Sequence, residues 1–372
     1  MNIAIASTFH PYRGGIAQFN DQMANSLKSI GHDVRCYNWS RQYPSVLFPG
    51  KTQIKTGTIR PSSGPAAPMD SISPNSWRKT ATEILSHGDV DLVILPFWHS
   101  ALAPALRGVA KALKKQSPMT KVVALMHNAT SHDGKASDKW LTKRFLNRVD
   151  ACITLSESVT EDVKKLAPKL DIKTLFHPLY THYAKIESRE DSFTHLGLPS
   201  SAKHMVLFFG IIRPYKGLST LIQAAEELNP DIHILIAGEC YGSWNPYKTL
   251  IQSSQAASRI HVFNEYIPDS KLPFIFGAAD LVVLPYLNAS QSGVTATAVH
   301  YNLPIIASDV GDLSATITPG VTGELVTPGA SKELARAINE WVNAKHTPED
   351  ILPAYAAIRK TNSWEAFAEK LT

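Results

Sequence analysis

Val206-Leu207-Phe208-Phe209-Gly210-Ile211-Ile212-Arg213-Pro214-Tyr215-Lys216-Gly217 is an apolar run that closes on a glycine, two cations and a second glycine. A helical pattern opens directly behind it. Leu218, Leu221, Ile222, Ala225 and Leu228 recur at a spacing of three or four and stop before Pro230. An apolar run without polar alternation is the signature of a strand buried on both faces, and such strands belong to parallel sheets covered by helices. Similar runs follow at residues 232–238, 260–263, 281–285, 304–308 and 324–326. Others precede it at residues 3–7, 34–39, 92–98, 122–127 and 152–155. Amphipathic segments lie between them: Ile16, Phe19, Met23, Leu27 and Ile30 end at Gly31, and Leu334, Ile338, Trp341 and Val342 form another stripe. A strand–helix alternation that begins twice, each time with its own first strand, predicts an α/β chain of two doubly wound domains.

The polar stretch 185–201 places the expected boundary between domains 1–184 and 185–354. A terminal helix within residues 355–372 is expected to pack back on the first domain. Residues 55–76, with Pro61, Pro65, Pro68 and Pro74, read as a long loop.

The 372 residues are 44% apolar and 19% charged, which suits a folded chain of two domains. Lys and Arg number 37 against 32 Asp and Glu, a balance of +5. That is too mild for a nucleic-acid protein and permits weak attraction to phosphates or peripheral contact with an anionic membrane face. Cys36, Cys152 and Cys240 are widely spaced and form no CxxC. Neither a disulfide framework nor a structural zinc site is expected, so a reducing, cytoplasmic setting is the simpler expectation. The first seven residues read as a strand and not as a leader, and no apolar stretch has the length of a membrane helix.

In open α/β sheets a ligand sits at the C-terminal ends of the strands, so the residues just behind each strand carry the chemistry. Arg213 and Lys216 are the strongest signal. Two cations beside a helix start suit a diphosphate, because Arg can grip two phosphate oxygens and Lys adds a compact charge. Gly14 and Gly15 precede a helix, where free N–H groups receive anions and a ligand can approach the backbone. An ordinary strand–helix turn would also carry such glycines, and the pattern is neither GxGxxG nor a phosphate-binding P-loop. His127 follows a strand and could bond a sugar hydroxyl, or could be a satisfied core histidine. Gly238, Glu239 and Tyr241 close another strand, where Glu239 could hold a hydroxyl or orient Arg213. The hydroxyl-rich segment through Gln291, Ser292, Gly293, Val294 and Thr297 leads into a helix and offers N–H groups to an anion or sugar. Asp89 and Asp91 have the DxD form of a metal–diphosphate site. They precede a strand instead of following one, so no metal site is expected there.

Taken in order, these pieces resemble retaining glycosyltransferases of family 4, which have the GT-B fold. The resemblance runs through Gly14-Gly15-Ile16, His127, Arg213-x-x-Lys216-Gly217, Gly238-Glu239, the block 286–311 and Gly320-Val321-Thr322-Gly323. It implies two Rossmann-like domains facing across a cleft, the second binding a nucleotide-diphosphate sugar. Arg213 and Lys216 would stabilise the departing diphosphate, and the N–H groups near Gly15 and Gly293-Val294 would assist. His127 would contact the donor sugar. No bound cofactor or metal is implied. The acceptor would be a glycan or lipid-linked molecule in cell-surface polysaccharide assembly, with no nucleic acid as partner. The family's two glutamates, eight positions apart, fall at Ala289 and Thr297 within one residue, so Ser290-Gln291-Ser292-Gly293-Val294 marks a bacterial branch lacking that pair. Asn302 stands in place of the glycine before the family's x-Pro turn. A nucleotide-sugar-binding protein without transfer activity, or an epimerase acting on the same donors, are the alternative readings.

Overall fold

The computed structural model describes residues 1–43, 54, 66–129, 136–179, 183–289, 292–344 and 348–372. The remainder of the expected 55–76 loop before Ala66, and Gln291, lie outside the described residues. The chain divides into two compact units, Met1–His177 with Asn362–Thr372, and Pro178–Thr361. The expected division at 184/185 lies inside the second unit, because Leu179 and Tyr183 pack with Val299 and Tyr355 there. Of the stretch 355–372, only the part from Asn362 onward joins the first unit. Tyr355 is fully buried in the second, its hydroxyl donating to the Leu303 carbonyl at 2.8 Å.

The first unit holds seven strands: β1 Asn2–Ala6, β2 Asp33–Arg41, β3 Ala66–Asp70, β4 Leu92–Phe97, β5 Lys121–Met126, β6 Ala151–Thr154 and β7 Asp171–Thr174. All pair in parallel, in the order β3-β2-β1-β4-β5-β6-β7. The second unit holds β8 His204–Phe209, β9 Ile232–Ala237, β10 Ile260–Phe263, β11 Leu281–Leu284, β12 Ile305–Ser308 and β13 Gly323–Val326. These are also parallel, in the order β10-β9-β8-β11-β12-β13. Each order reverses once, between β1 and β4 and between β8 and β11, and ligand crevices form at such reversals. Central strands such as β4, β9 and β11 are buried throughout, as their apolar runs require.

A strand and a helix depart from the expected pattern. β3 and the helix Pro74–Leu85 occupy part of the stretch read as a loop. Pro68 is tolerated because β3 is an edge strand, and Pro74 because the first helical position needs no N–H partner.

Candidate functional site

The second unit gathers its predicted residues at the β8/β11 reversal. Gly210 directly follows β8, and Gly238 directly follows its neighbour β9. A Cβ on Gly238 would lie 2.0 Å from the Gly210 carbonyl oxygen, and its φ is +154°, so the two strand ends touch only because that residue is glycine. The contact continues as a short parallel bridge in which the Ile212 N–H donates to the Glu239 carbonyl and the Tyr241 N–H to that of Ile212. This bridge fixes the backbone immediately before Arg213. The Arg213 guanidinium lies over the Tyr241 ring, 5.4 Å from its centroid. Pro214–Lys216 makes one tight turn, and the helix Leu218–Ala224 follows. Lys216 Nζ sits 5.2 Å from the Tyr286 ring centroid and 3.2 Å from where a Cβ on Gly210 would stand. A Val294 methyl is 3.4 Å from that same point, so ammonium, strand end and helix start converge.

Tyr286 is the partner that sequence reasoning missed. It follows β11, is 1% exposed, and exchanges a hydrogen bond of 3.2 Å with the Ser292 hydroxyl. The same hydroxyl accepts from the Val294 N–H at 3.2 Å and caps the helix Gly293–His300. Cation–ring contacts contribute about 0.5–1 kcal/mol each, enough to bias two flexible side chains toward one place.

Some cations of the described residues sit within ion-pair distance of a carboxylate, among them Arg35, Lys114, Arg189, Lys203 and Lys271. Among the described residues Arg213 and Lys216 have none. Two cations held beside a helix start, without a carboxylate among the described residues, have the chemistry to receive an anion. Glu239 is 7% exposed at the end of β9. Thr297 is buried, and its hydroxyl donates to the Gly293 carbonyl at 3.0 Å, so its proton is used inside the helix. Asn302 adopts φ +57°, the left-handed conformation its family glycine would supply, and asparagine is the side chain that tolerates it best.

In the first unit, Gly14 takes φ +104° and leads into the helix Gly15–Ser29, with Gly15 exposed. Two buried asparagines hold the loop before it. Asn20 Nδ2 donates to Ser7 Oγ and the Thr8 carbonyl, and Asn38 Nδ2 to the Phe9 and His10 carbonyls. His127 follows β5, with its N–H on the Phe97 carbonyl. Its ring meets Phe19 edge-on at 4.7 Å, and Nε2 has no hydrogen-bond partner among the described residues. Burial, and then nearby His177, pull its pKa down to about 3. His127 is therefore neutral at pH 7. Asp89 and Asp91 precede β4, where the Asp91 carboxylate accepts from the Asn2 N–H at 2.7 Å and braces the sheet's other end.

Two family models match the chain, Glycosyltransferase Family 4 over residues 13–174 and Glycosyl transferases group 1 over residues 193–357. The chain belongs to the family-4 glycosyltransferases. Their GT-B fold extends over its whole length. Anabaena Alr3699/HepE, solved in complex with UDP and glucose, superimposes with a TM-score of 0.79 at 17% identity, covering 100% of this chain and 98% of that one. Sucrose-phosphate synthase from Thermosynechococcus elongatus gives 0.73 at 18% identity, covering 100% and 97%. Among curated relatives, the D-inositol 3-phosphate glycosyltransferase of Corynebacterium glutamicum is 30% identical over 191 residues, 49% of this chain and 45% of that protein. The alpha-maltose-1-phosphate synthase of Mycolicibacterium smegmatis is 25% identical over 228 residues, 56% and 58%. The chain thus spans about half the length of the curated relatives it matches.

Proposed function

We propose that this glycosyltransferase moves a sugar from a nucleotide-diphosphate donor to a hydroxyl acceptor with retention of anomeric configuration. The observation that carries the reading is a pair of cations without carboxylate partners among the described residues, Arg213 over Tyr241 and Lys216 over Tyr286, at the β8/β11 reversal. The bond from the anomeric carbon to the diphosphate oxygen breaks, its electron pair leaving with the nucleotide. The acceptor oxygen forms the new bond on the same face, and its proton passes to the departing phosphate oxygen. Arg213, Lys216 and the N–H group of Gly293 stabilise the charge that develops on the leaving group, while the Val294 N–H stays on the Ser292 hydroxyl. The neutral His127 would bond a donor-sugar hydroxyl through Nε2. The acceptor we infer is a glycan or a lipid-linked molecule in cytoplasmic assembly of a surface polysaccharide. Among the described residues no helix is long and apolar enough to cross a membrane.

The test is turnover with a panel of nucleotide sugars, beside binding measured for each. Lys216→Ala and Arg213→Ala should each lower kcat/KM by about 10–100-fold, the size of one charge-assisted hydrogen bond. A second reading, binding without transfer, is favoured by Ala289 and Thr297 standing where the family carries carboxylates. Tight donor binding with no product from any acceptor would select it.

A further inference from the structure

We propose that one face of the first unit, made by the helices Ala103–Gln116 and Ala136–Leu146, docks on an anionic membrane surface. Trp140 would enter the headgroup layer, and Lys139, Lys143, Arg144, Arg148 and Arg107 would meet its phosphates. The proposal does not depend on the transfer chemistry.

The sequence 136–148 carries four cations, Lys139, Lys143, Arg144 and Arg148, against one acid, Asp138, a balance of +3 where the whole chain has +5. That acid is engaged elsewhere, since Ser100 Oγ donates to its carboxylate at 2.8 Å. Thr142, Phe145 and Leu146 turn into the core, so residues 139, 140, 143 and 144 share the outward face. Trp140 is 56% exposed there, although indole is a side chain that folding normally removes from water. The Arg144 guanidinium lies 4.6 Å from its ring centroid. The adjoining helix supplies Arg107, whose pKa is lowered by its burial and then by the positive charges of Arg144 and Arg148. Among the described residues none of these cations has a carboxylate partner. A crowd of like charges around an exposed indole is unfavourable in water. It becomes favourable at an interface that supplies phosphates and takes up an aromatic ring. Single-stranded RNA, which also offers phosphates and stacking faces, is the rival occupant.

Co-sedimentation of the intact protein with vesicles of phosphatidylglycerol and phosphatidylcholine in equal parts, and of phosphatidylcholine alone, decides the matter. Binding is expected to the anionic vesicles only, to weaken as salt is raised, and to shift tryptophan emission to the blue. The double variant Lys139→Glu/Lys143→Glu should lose at least about tenfold in affinity. Trp140→Ser should lose the emission shift with its melting temperature unchanged. Lys139→Gln/Lys143→Gln serves should the charge reversal fail to melt cooperatively. Equal binding to both vesicle types, variants that bind like the parent, or displacement from vesicles by an oligoribonucleotide would overturn the proposal.

Discussion

At the scale of single residues, one position must refuse a proton and another must lack a side chain. His127 must stay neutral. Its folded pKa near 3 lies below the ordinary value of 6.5, so between these limits the unfolded chain binds a proton that the folded chain refuses. The stability this residue contributes is therefore complete above pH 6.5 and is lost as pH falls toward 3. His127→Gln should flatten that part of the profile by up to about 1.4 kcal/mol per pH unit. Melting temperatures of both proteins across pH 7.5 to 4 give the comparison, and parallel curves would remove His127 from the account. Gly238 makes the steric counterpart. Gly238→Ala must separate the ends of β8 and β9, because its Cβ would overlap the Gly210 carbonyl at 2.0 Å. A cost of about 1–3 kcal/mol is expected. Donor affinity should also fall, since Arg213 and Lys216 emerge from that backbone; a fully folded variant that binds donor like the parent would break the link.

Elements show why the sequence was readable in some places and opaque in others. Buried central strands such as β4 and β9 announce themselves as apolar runs, and the two cations behind β8 stand in one short stretch. Both strands that escaped notice are sheet edges. β3 contains a proline that reads as loop, and β7 is half-exposed, so neither needs a continuous apolar run. The platform under Lys216 was hidden for a different reason. Tyr286 and Lys216 belong to different βα units, and only the β8–β11 pairing brings them together. The helix Gly293–His300 separates the two polar groups read as ligand contacts. Ser292 caps it and also holds Tyr286, so Ser292→Ala should cost about 1 kcal/mol of stability and weaken donor binding besides. Thr297 faces inward and bonds its own helix, so Thr297→Val should leave the donor dissociation constant within about twofold. Calorimetric titration with a nucleotide sugar would reveal a ribose contact at Thr297 as a much larger loss.

For the whole molecule, the return of the chain to its first unit sets the order in which the parts become stable. Trp364, Phe367 and Leu371 are buried in the same cluster as Ile3, Ile5, Phe19, Met23 and Leu27, and the Ser26 hydroxyl donates to the Trp364 carbonyl at 2.7 Å. Each large buried side chain contributes about 1.5–3 kcal/mol, so the three together approach the 5–15 kcal/mol that holds a typical domain folded. None of them enters the cores of the second unit. A chain shortened by the segment Asn362–Thr372 should therefore keep a folded second unit and lose the first. Hydrogen exchange distinguishes the outcomes directly: protection should collapse in β1, β4 and β5 and persist in β8, β9, β11 and β12. Equal loss in both sheets would mean that the units stand or fall together. Full protection in both would mean that the returning helix only covers a core already stable without it.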